Sequence, residues 1–99
     1  MLRAFLEWAR QMEATQDAID LEAQVTEAFG SDNPAARLDI DTPTAVARVT
    51  CWESGDFDAE VIGLETEETL FSCHGVFERE RTVAEQMVPF LAALGVIAK

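Results

Sequence analysis

Basic residues and long apolar runs are both scarce in this sequence. Seven lysines and arginines stand against 19 aspartates and glutamates, which gives a formal net charge of −12 over 99 residues. A chain with this charge repels nucleic acid and anionic lipid surfaces. The longest apolar run, residues 87–97, has about half of the roughly 20 residues that a transmembrane helix needs. We therefore predict no nucleic-acid partner and no membrane contact.

Residues that carry catalytic or metal chemistry are equally scarce. His74 is the only histidine, so a His-based triad or a multi-histidine metal site would depend on it alone. Cys51 and Cys73 lack the CxxC spacing of zinc sites. The sequence also has no glycine-rich phosphate loop and no nucleophile elbow. We predict no metal, no cofactor and no enzymatic activity, and we interpret His74 as a strand residue with a local hydrogen bond.

Length and cysteine usage predict one reduced domain. A chain of 99 residues can bury a single core, and we expect one domain over residues 1–99. Met1-Leu2-Arg3 leads into an amphipathic segment instead of the apolar core of a signal peptide. We expect a cytoplasmic protein whose two cysteines are reduced and serve as small apolar side chains. A disulfide stays open because the sequence does not give their separation.

Apolar periodicity predicts helices at the ends and strands between them. A 3.6-residue period over residues 2–14 places Leu2, Phe5, Leu6, Ala9 and Met12 on one helical face. From Ile19 to Val25 the period is two, which favours a strand, although the composition also permits a helix that extends the first one. Residues 30–34 are rich in turn formers. Alternation resumes over residues 36–40 and 45–53, and a further strand is predicted over residues 69–77.

The C-terminal segment is predicted to be a capped and kinked helix. Thr82 and Glu85 have the spacing of a capping box, and the helix is expected to continue to about Ala98 with a kink at Pro89. These elements give the α+β fold class: an antiparallel sheet of four or five strands, with an N-terminal and a C-terminal helix packed on one face.

The hairpin in residues 49–65 can be given a register. If residues 54–56 form a three-residue loop, Glu53 lies opposite Phe57, Cys51 opposite Ala59 and Val49 opposite Val61, so that the apolar side chains share one face. Cys51 then points into the core. The same register pairs Trp52 with Asp58 and Thr50 with Glu60 on the other face. The facing of the next strand depends on an unknown loop length and stays open.

Trp52 and its acidic neighbours are the candidate binding residues. Tryptophan in a strand is more often a core residue, and a one-residue slip of the register would bury it. The alternative is an exposed aromatic anchor of the kind found in interface hot spots, surrounded by acidic residues and with Arg48 on the same face. Two Asp-x-Asp pairs, at 39/41 and 56/58, lack the continuation of a calcium loop, which favours a solvated surface.

The segment from Arg48 to Phe71 resembles the signature of the TriTu immunity family of bacterial polymorphic toxin systems. The resemblance in element order extends over the whole chain, and it is residue-specific at eleven positions: Arg48, Thr50, Trp52, Glu53, Ser54, Gly55, Glu60, Val61, Glu65, Thr66 and Glu68. Glu67 stands where glycine is commoner in the family. The resemblance implies a non-enzymatic inhibitor that binds a cognate toxin domain.

The acidic surface and the resemblance together suggest a hypothesis for the contacts. Trp52 would be the anchor, and the complementary charge for a basic toxin domain would come from Glu53, Asp56, Asp58 and Glu60. The alternatives are an acidic structural or oligomerisation module without catalytic activity, for which self-association stays open, and a small acidic enzyme. The enzyme would need a pocket with a strongly perturbed carboxylate or His74.

Overall fold

The computed structural model describes residues 1–14, 21–28 and 32–95. Its elements, in chain order, are α1 (Leu2–Ala14), β1 (Glu22–Ala28), β2 (Ala35–Asp41), β3 (Ala45–Trp52), β4 (Asp56–Gly63), β5 (Thr69–Val76), α2 (Val83–Gln86) and α3 (Val88–Leu94). The five strands form one sheet in the order β1-β2-β3-β4-β5, and each neighbouring pair is antiparallel. The α+β class with an antiparallel sheet is thus confirmed.

The N-terminal helix α1 forms as its apolar spacing predicts. Its buried residues are Leu2, Phe5, Trp8, Ala9 and Met12, whereas Leu6 is half-buried. Trp8 belongs to this face, at three residues from Phe5, and the predicted face omitted it. The rings of Phe5 and Trp8 lie with centroids 5.8 Å apart. The helix packs on β1, β2 and β3.

The ambiguous second segment is a strand. In β1, Ala23 is buried and Val25 is half-buried, as alternation predicts, while Ile19 lies outside the described residues. The whole strand pairs with β2, from Glu22 opposite Asp41 to the far end. Pairing along the full strand outweighs the helix propensity of its residues, because propensity is only a weak prior against tertiary context.

The C-terminal helix is divided into two short helices instead of one kinked helix. Thr82 Oγ1 accepts a hydrogen bond from the Glu85 N–H at 3.1 Å, so the predicted N-cap is present. The break falls at Met87, and Pro89 lies in the first turn of α3. Proline is well tolerated in a first helical turn, where its missing N–H has no helical partner. Ala98, the predicted helix end, lies outside the described residues.

The core lies on one face of the sheet, under the helices. Leu38, Val49 and Val61 from the middle strands are fully buried with Phe5 of α1 and Phe90 of α3. Helix α1 packs on β1 to β3 and α3 packs on β3 to β5, so the prediction of helices on one face is confirmed. The opposite face carries no helix within the described part of the chain.

Both cysteines are free and lie on the core face. Cys51 is fully buried, as predicted, and Cys73 is half-buried. Burial raises the pKa of the Cys51 thiol to about 11, since the low-polarity interior disfavours the thiolate. Cys51 is therefore an inert apolar side chain.

The facing of β5 is set by a bulge. Val61 lies opposite Phe71, whereas Ile62 lies opposite Thr69, so Leu70 is the extra residue. Phe71 and Cys73 consequently point to the core face, and Ser72 and His74 point to the open face. Because the bulge adds one residue to β5, the alternation of the sequence alone does not show which side chains of this strand face the core.

Candidate functional site

The open face of the sheet, opposite the helices, is a regular grid of side chains. Thr26, Arg37, Thr50, Asp58 and His74 form one row across all five strands, and Gln24, Asp39, Arg48, Glu60 and Ser72 form the next. Side chains along a strand alternate between the two faces, so each row lies two residues from its neighbour. The face is polar because polar residues alternate with apolar residues along each strand, and the apolar residues point to the core on the other side.

The predicted hairpin register is wrong by two residues. Cys51 lies opposite Phe57 and Val49 lies opposite Ala59. The loop has three residues, as predicted, but it comprises residues 53–55. Gly55 takes the left-handed conformation with φ of 97° at the third loop position, which is where a three-residue hairpin needs such a residue. The predicted loop, residues 54–56, has Gly55 in its middle position instead.

A slip of two residues keeps every side chain on its predicted face. Trp52 and the acidic positions 58 and 60 do share the open face, and Trp52 is half-buried there. The cross-strand partners change, however. Thr50 lies opposite Asp58 and Arg48 opposite Glu60, instead of Trp52 opposite Asp58 and Thr50 opposite Glu60.

The open face is concave and forms a groove of about 660 Å³. Three of the predicted site residues line it: Arg48, Asp58 and Glu60. The other three, Trp52, Glu53 and Asp56, lie at the hairpin end of the face and not in the groove lining. We call the first region the groove and the second the hairpin tip. The remaining groove residues are Gln24, Asp39, Ile40, Asp41, Val46, Ala47, Thr50 and Ile62.

Asp39 and Asp41, for which the sequence favours a solvated surface, line the groove. Asp39 accepts hydrogen bonds from Arg37 Nε and from Arg48 Nε, each at 2.8 Å. Asp39 lies opposite Arg48 in the β2–β3 ladder. The alternation of β2 already places Asp39 and Asp41 on the open face, and the register of β2 against β3 is the information that would have joined them to Arg48.

The carboxylates of the groove differ in what already neutralises them. Asp39 is bound by two arginines, and Asp58 is bound to His74 of β5. Asp41 and Glu60 have no salt-bridge partner among the described residues. Glu22 lies opposite Asp41 across β1 and β2, and like charges directly opposite each other are destabilising. The groove therefore retains an uncompensated negative field.

His74 extends the groove's charge network to the edge strand. Its Nδ1 contacts Asp58 Oδ1. The hydrogen bond to Asp58 and the charge of that carboxylate raise the pKa of His74 above its ordinary value of 6.5, and the charge of Asp56 adds to the effect. Protonated His74 compensates Asp58, whereas neutral His74 leaves that carboxylate to the groove. The predicted local hydrogen bond of His74 is confirmed.

The hairpin tip is held by the neighbouring loop. The Ser54 hydroxyl donates to Asp56 Oδ2 at 2.8 Å, and the Ser54 N–H donates to Asn33 Oδ1 at 3.3 Å. The Glu53 N–H donates to the Pro34 carbonyl at 2.8 Å. These bonds fix the backbone on which the Trp52 and Glu53 side chains are mounted.

Comparison with known protein families shows the family to which this chain belongs. A family model described as Immunity protein TriTu matches residues 3–93. The chain belongs to the TriTu immunity protein family. The matched range includes both the groove and the hairpin tip, and it confirms the resemblance seen in the segment around Trp52. No sequence among the curated proteins matches the chain. Within the described residues of this TriTu protein, no helix is long and apolar enough to cross a membrane.

Position 67, in the turn between β4 and β5, has an unusual backbone conformation for a glutamate. Glu67 has φ of 58° and is the only non-glycine residue with positive φ in the described part of the chain. This left-handed conformation costs a side-chain-bearing residue roughly 1–2 kcal/mol, and glycine adopts it freely. A glycine at this position would therefore fit the turn between β4 and β5 without this cost.

Proposed function

We propose that this TriTu immunity protein binds and neutralises a basic toxin domain through the open face of its sheet. The observation that carries the proposal is the concave groove on the open face, which is lined by four carboxylates and one arginine. The protein performs no chemistry of its own and acts by occupying the toxin's surface in the cytoplasm. The hairpin tip and the groove are the two parts of the contact.

The charge of the groove recruits the toxin domain. Net charge of −12 and a concave acidic surface raise the encounter rate with a basic partner by long-range attraction. Asp41 and Glu60, which have no ion pair among the described residues, supply the field in the groove, and Asp58 adds to it when its partner His74 is neutral. Glu53 and Asp56 supply the field at the hairpin tip. Fast capture suits a protein that must inhibit a toxin before the toxin acts.

Arg48 does not oppose this recruitment because its charge is already engaged. Its guanidinium is held by Asp39, which also binds Arg37. Two guanidiniums share this one carboxylate, so the group carries a single positive charge against the other three carboxylates of the groove lining. The ion pairs orient these polar atoms in the free protein, which lowers the entropic cost of association.

Trp52 anchors the complex after the encounter. Its side chain is half-buried on the open face, next to the acidic positions of the hairpin tip. Partly exposed tryptophans flanked by polar residues are enriched among residues that dominate binding energy. The hydrogen bonds of Glu53 and Ser54 hold the loop backbone beside Trp52 in the free protein, so that little backbone ordering remains for the complex.

Affinity capture from the native host tests the proposal. The wild-type protein as bait should recover a protein that carries a toxin domain. A bait with Asp58→Asn and Glu60→Gln should recover clearly less of it, whereas a control bait with Glu7→Gln, which removes an exposed charge from α1, should recover the wild-type amount. Equal recovery by all three baits would contradict a groove contact. A stable homo-oligomer without any toxin-bearing partner would favour the structural module instead.

A further inference from the structure

The edge strand β5 has an unusual concentration of exposed apolar side chains. Leu70 is 49% exposed and Val76 is 61% exposed, and Leu64, in the turn that leads from β4 to β5, is 49% exposed. Only one other large apolar residue in the described ranges, Val88, is comparably exposed. Single exposed apolar residues are normal, but an edge strand that carries apolar residues at both ends is a template for pairing with another chain.

The two edges of the sheet are protected to different degrees. On β1 the Val25 N–H donates to Glu13 Oε2 at 3.0 Å, and Glu27 is paired with Arg10 at 2.6 Å. Helix α1 thus covers that edge and satisfies part of its backbone. Strand β5, with the sequence TLFSCHGV, contains none of the lysine, acidic or proline residues that usually block an edge strand.

The open backbone groups of β5 can be identified from the ladder. The Phe77 N–H donates to the Gly55 carbonyl at 2.9 Å, so odd-numbered residues at this end of β5 direct their backbone groups toward β4. Backbone groups alternate in direction along an antiparallel strand. The N–H and C=O groups of Ser72, His74 and Val76 consequently point away from the sheet, in the position that a further strand would pair with.

The core layer is also incomplete at β5. Val61 and Ala59 of β4 are buried, whereas their partners Phe71 and Cys73 are only half-buried on the same core face. Phe71 is covered on its inner side by Phe90 of α3, with ring centroids 6.2 Å apart. An added strand with apolar residues at alternate positions would bury the outer side of Phe71 and Cys73.

We propose that β5 accepts an extended strand of the toxin domain as a sixth strand of the sheet. The proposal rests on the proposed function and names the part of the partner that is bound. The added strand alternates apolar residues, which cover Phe71 and Cys73, with basic residues on the open-face side. On that side it lies beside His74 and Ser72, whose β4 partners are Asp58 and Glu60, so the added strand continues the contact made in the groove.

Charge distinguishes this occupant from a second copy of the chain. An antiparallel pairing of two β5 strands centred on Cys73 would place Glu68 of one copy beside Glu78 of the other. Like charges at opposed positions destabilise strand pairing, and the two copies would each carry a net charge of −12. A basic heterologous strand meets the same acidic ends favourably.

The test uses the toxin domain recovered by the capture experiment, with Ser72→Pro and Ser72→Ala variants. Proline removes an N–H that points outward and keeps the ladder to β4 and the net charge. Ser72→Pro should weaken binding by about tenfold or more, as expected for losing main-chain hydrogen bonds. Ser72→Ala, which keeps the N–H and removes only the hydroxyl, should weaken binding much less than Ser72→Pro. Equal binding by a folded Ser72→Pro protein overturns the proposal.

Hydrogen exchange on the wild-type complex gives a readout that does not depend on a variant folding. The amides of Ser72, His74 and Val76 should become strongly protected when the toxin domain binds, while the amides of β1 should not change. Unchanged exchange at these three amides, with binding still sensitive to Asp58→Asn and Glu60→Gln, overturns strand addition alone. Failure to recover any toxin-bearing protein overturns the proposed function and strand addition together.

Discussion

Arg48 Nε donates to Asp39 Oδ1 at 2.8 Å across the β2–β3 ladder. Because Asp39 also accepts from Arg37, one carboxylate holds both arginines of the open face. Asp39 therefore controls the charge of the groove by pairing with both arginines, although its own charge is neutralised by them. The field toward a partner comes from Asp41 and Glu60, which have no ion pair among the described residues.

Replacing Asp39 should change both the stability and the charge of the groove. Asp39→Asn removes two partly exposed ion pairs, each worth about 0.2–1 kcal/mol, so we expect a loss of about 1 kcal/mol in the free energy of unfolding. The released arginines should also slow association with a basic toxin domain. Chemical denaturation and association kinetics measure the two effects. Asp32→Asn, in an exposed loop, is the control, and an equal effect of both substitutions would contradict this role.

The two tryptophans should respond to truncation in opposite ways. Trp8 is 7% exposed in the core, and Trp8→Ala should reduce the free energy of unfolding by about 3–5 kcal/mol. Trp52→Ala should leave a folded protein and increase the dissociation rate of the toxin complex, since it removes an anchor without touching the core. Denaturation curves and dissociation kinetics of both variants make the comparison. A folded Trp52→Ala protein with a wild-type dissociation rate would exclude the anchor.

Glycine at position 67 should stabilise the protein. Glu67→Gly removes a cost of roughly 1–2 kcal/mol for the left-handed backbone in the folded state. It also raises the conformational entropy of the unfolded chain, which costs about 0.5–1 kcal/mol. We therefore expect the free energy of unfolding to increase by about 0.5–1 kcal/mol. Glu65→Gly lacks the gain, because Glu65 does not have positive φ, and should be destabilising. Thermal unfolding of both variants tests this difference, and stabilisation by both would show that lost negative charge is the cause.

The His74–Asp58 pair should give the open face a pH dependence. The bond to Asp58 raises the pKa of His74, so the pair stabilises the fold fully below the unfolded-state pKa and loses this contribution as the pH rises through the folded-state pKa. Above that pH, Asp58 is uncompensated, and association with a basic partner should become faster. An NMR titration of His74 measures the pKa. In Asp58→Asn the pKa should fall back toward 6.5, and an unchanged titration would reject the pairing.

The alternation of apolar and polar residues predicted which side chains lie on each face of the sheet, because this pattern can be read within each strand separately. Leu38 and Ile40 are buried in β2 and Cys51 in β3, as their spacing requires. The open-face location of Trp52 follows from the same rule and survived the wrong register, since a shift of two residues returns each side chain to its face.

The register between neighbouring strands could not be predicted from alternation. The hairpin register depends on which loop position Gly55 occupies, and the facing of β5 depends on a bulge at Leu70. The loop position and the bulge are both features of backbone geometry, and neither changes the spacing of apolar residues in the sequence. The joining of Asp39 to Arg48 depends on the β2–β3 register, so the groove could be predicted only as separate residues on one face.

The measurement that tests the central claim most directly is the association rate of the toxin domain as a function of ionic strength. The open face predicts a rate that falls steeply as salt rises, because screening shortens the reach of the acidic field. In the Asp41→Asn, Glu60→Gln double variant the same plot should be flatter, with a lower rate at low salt. A wild-type rate that is independent of salt, or a double variant with an unchanged slope, would contradict recruitment by this groove.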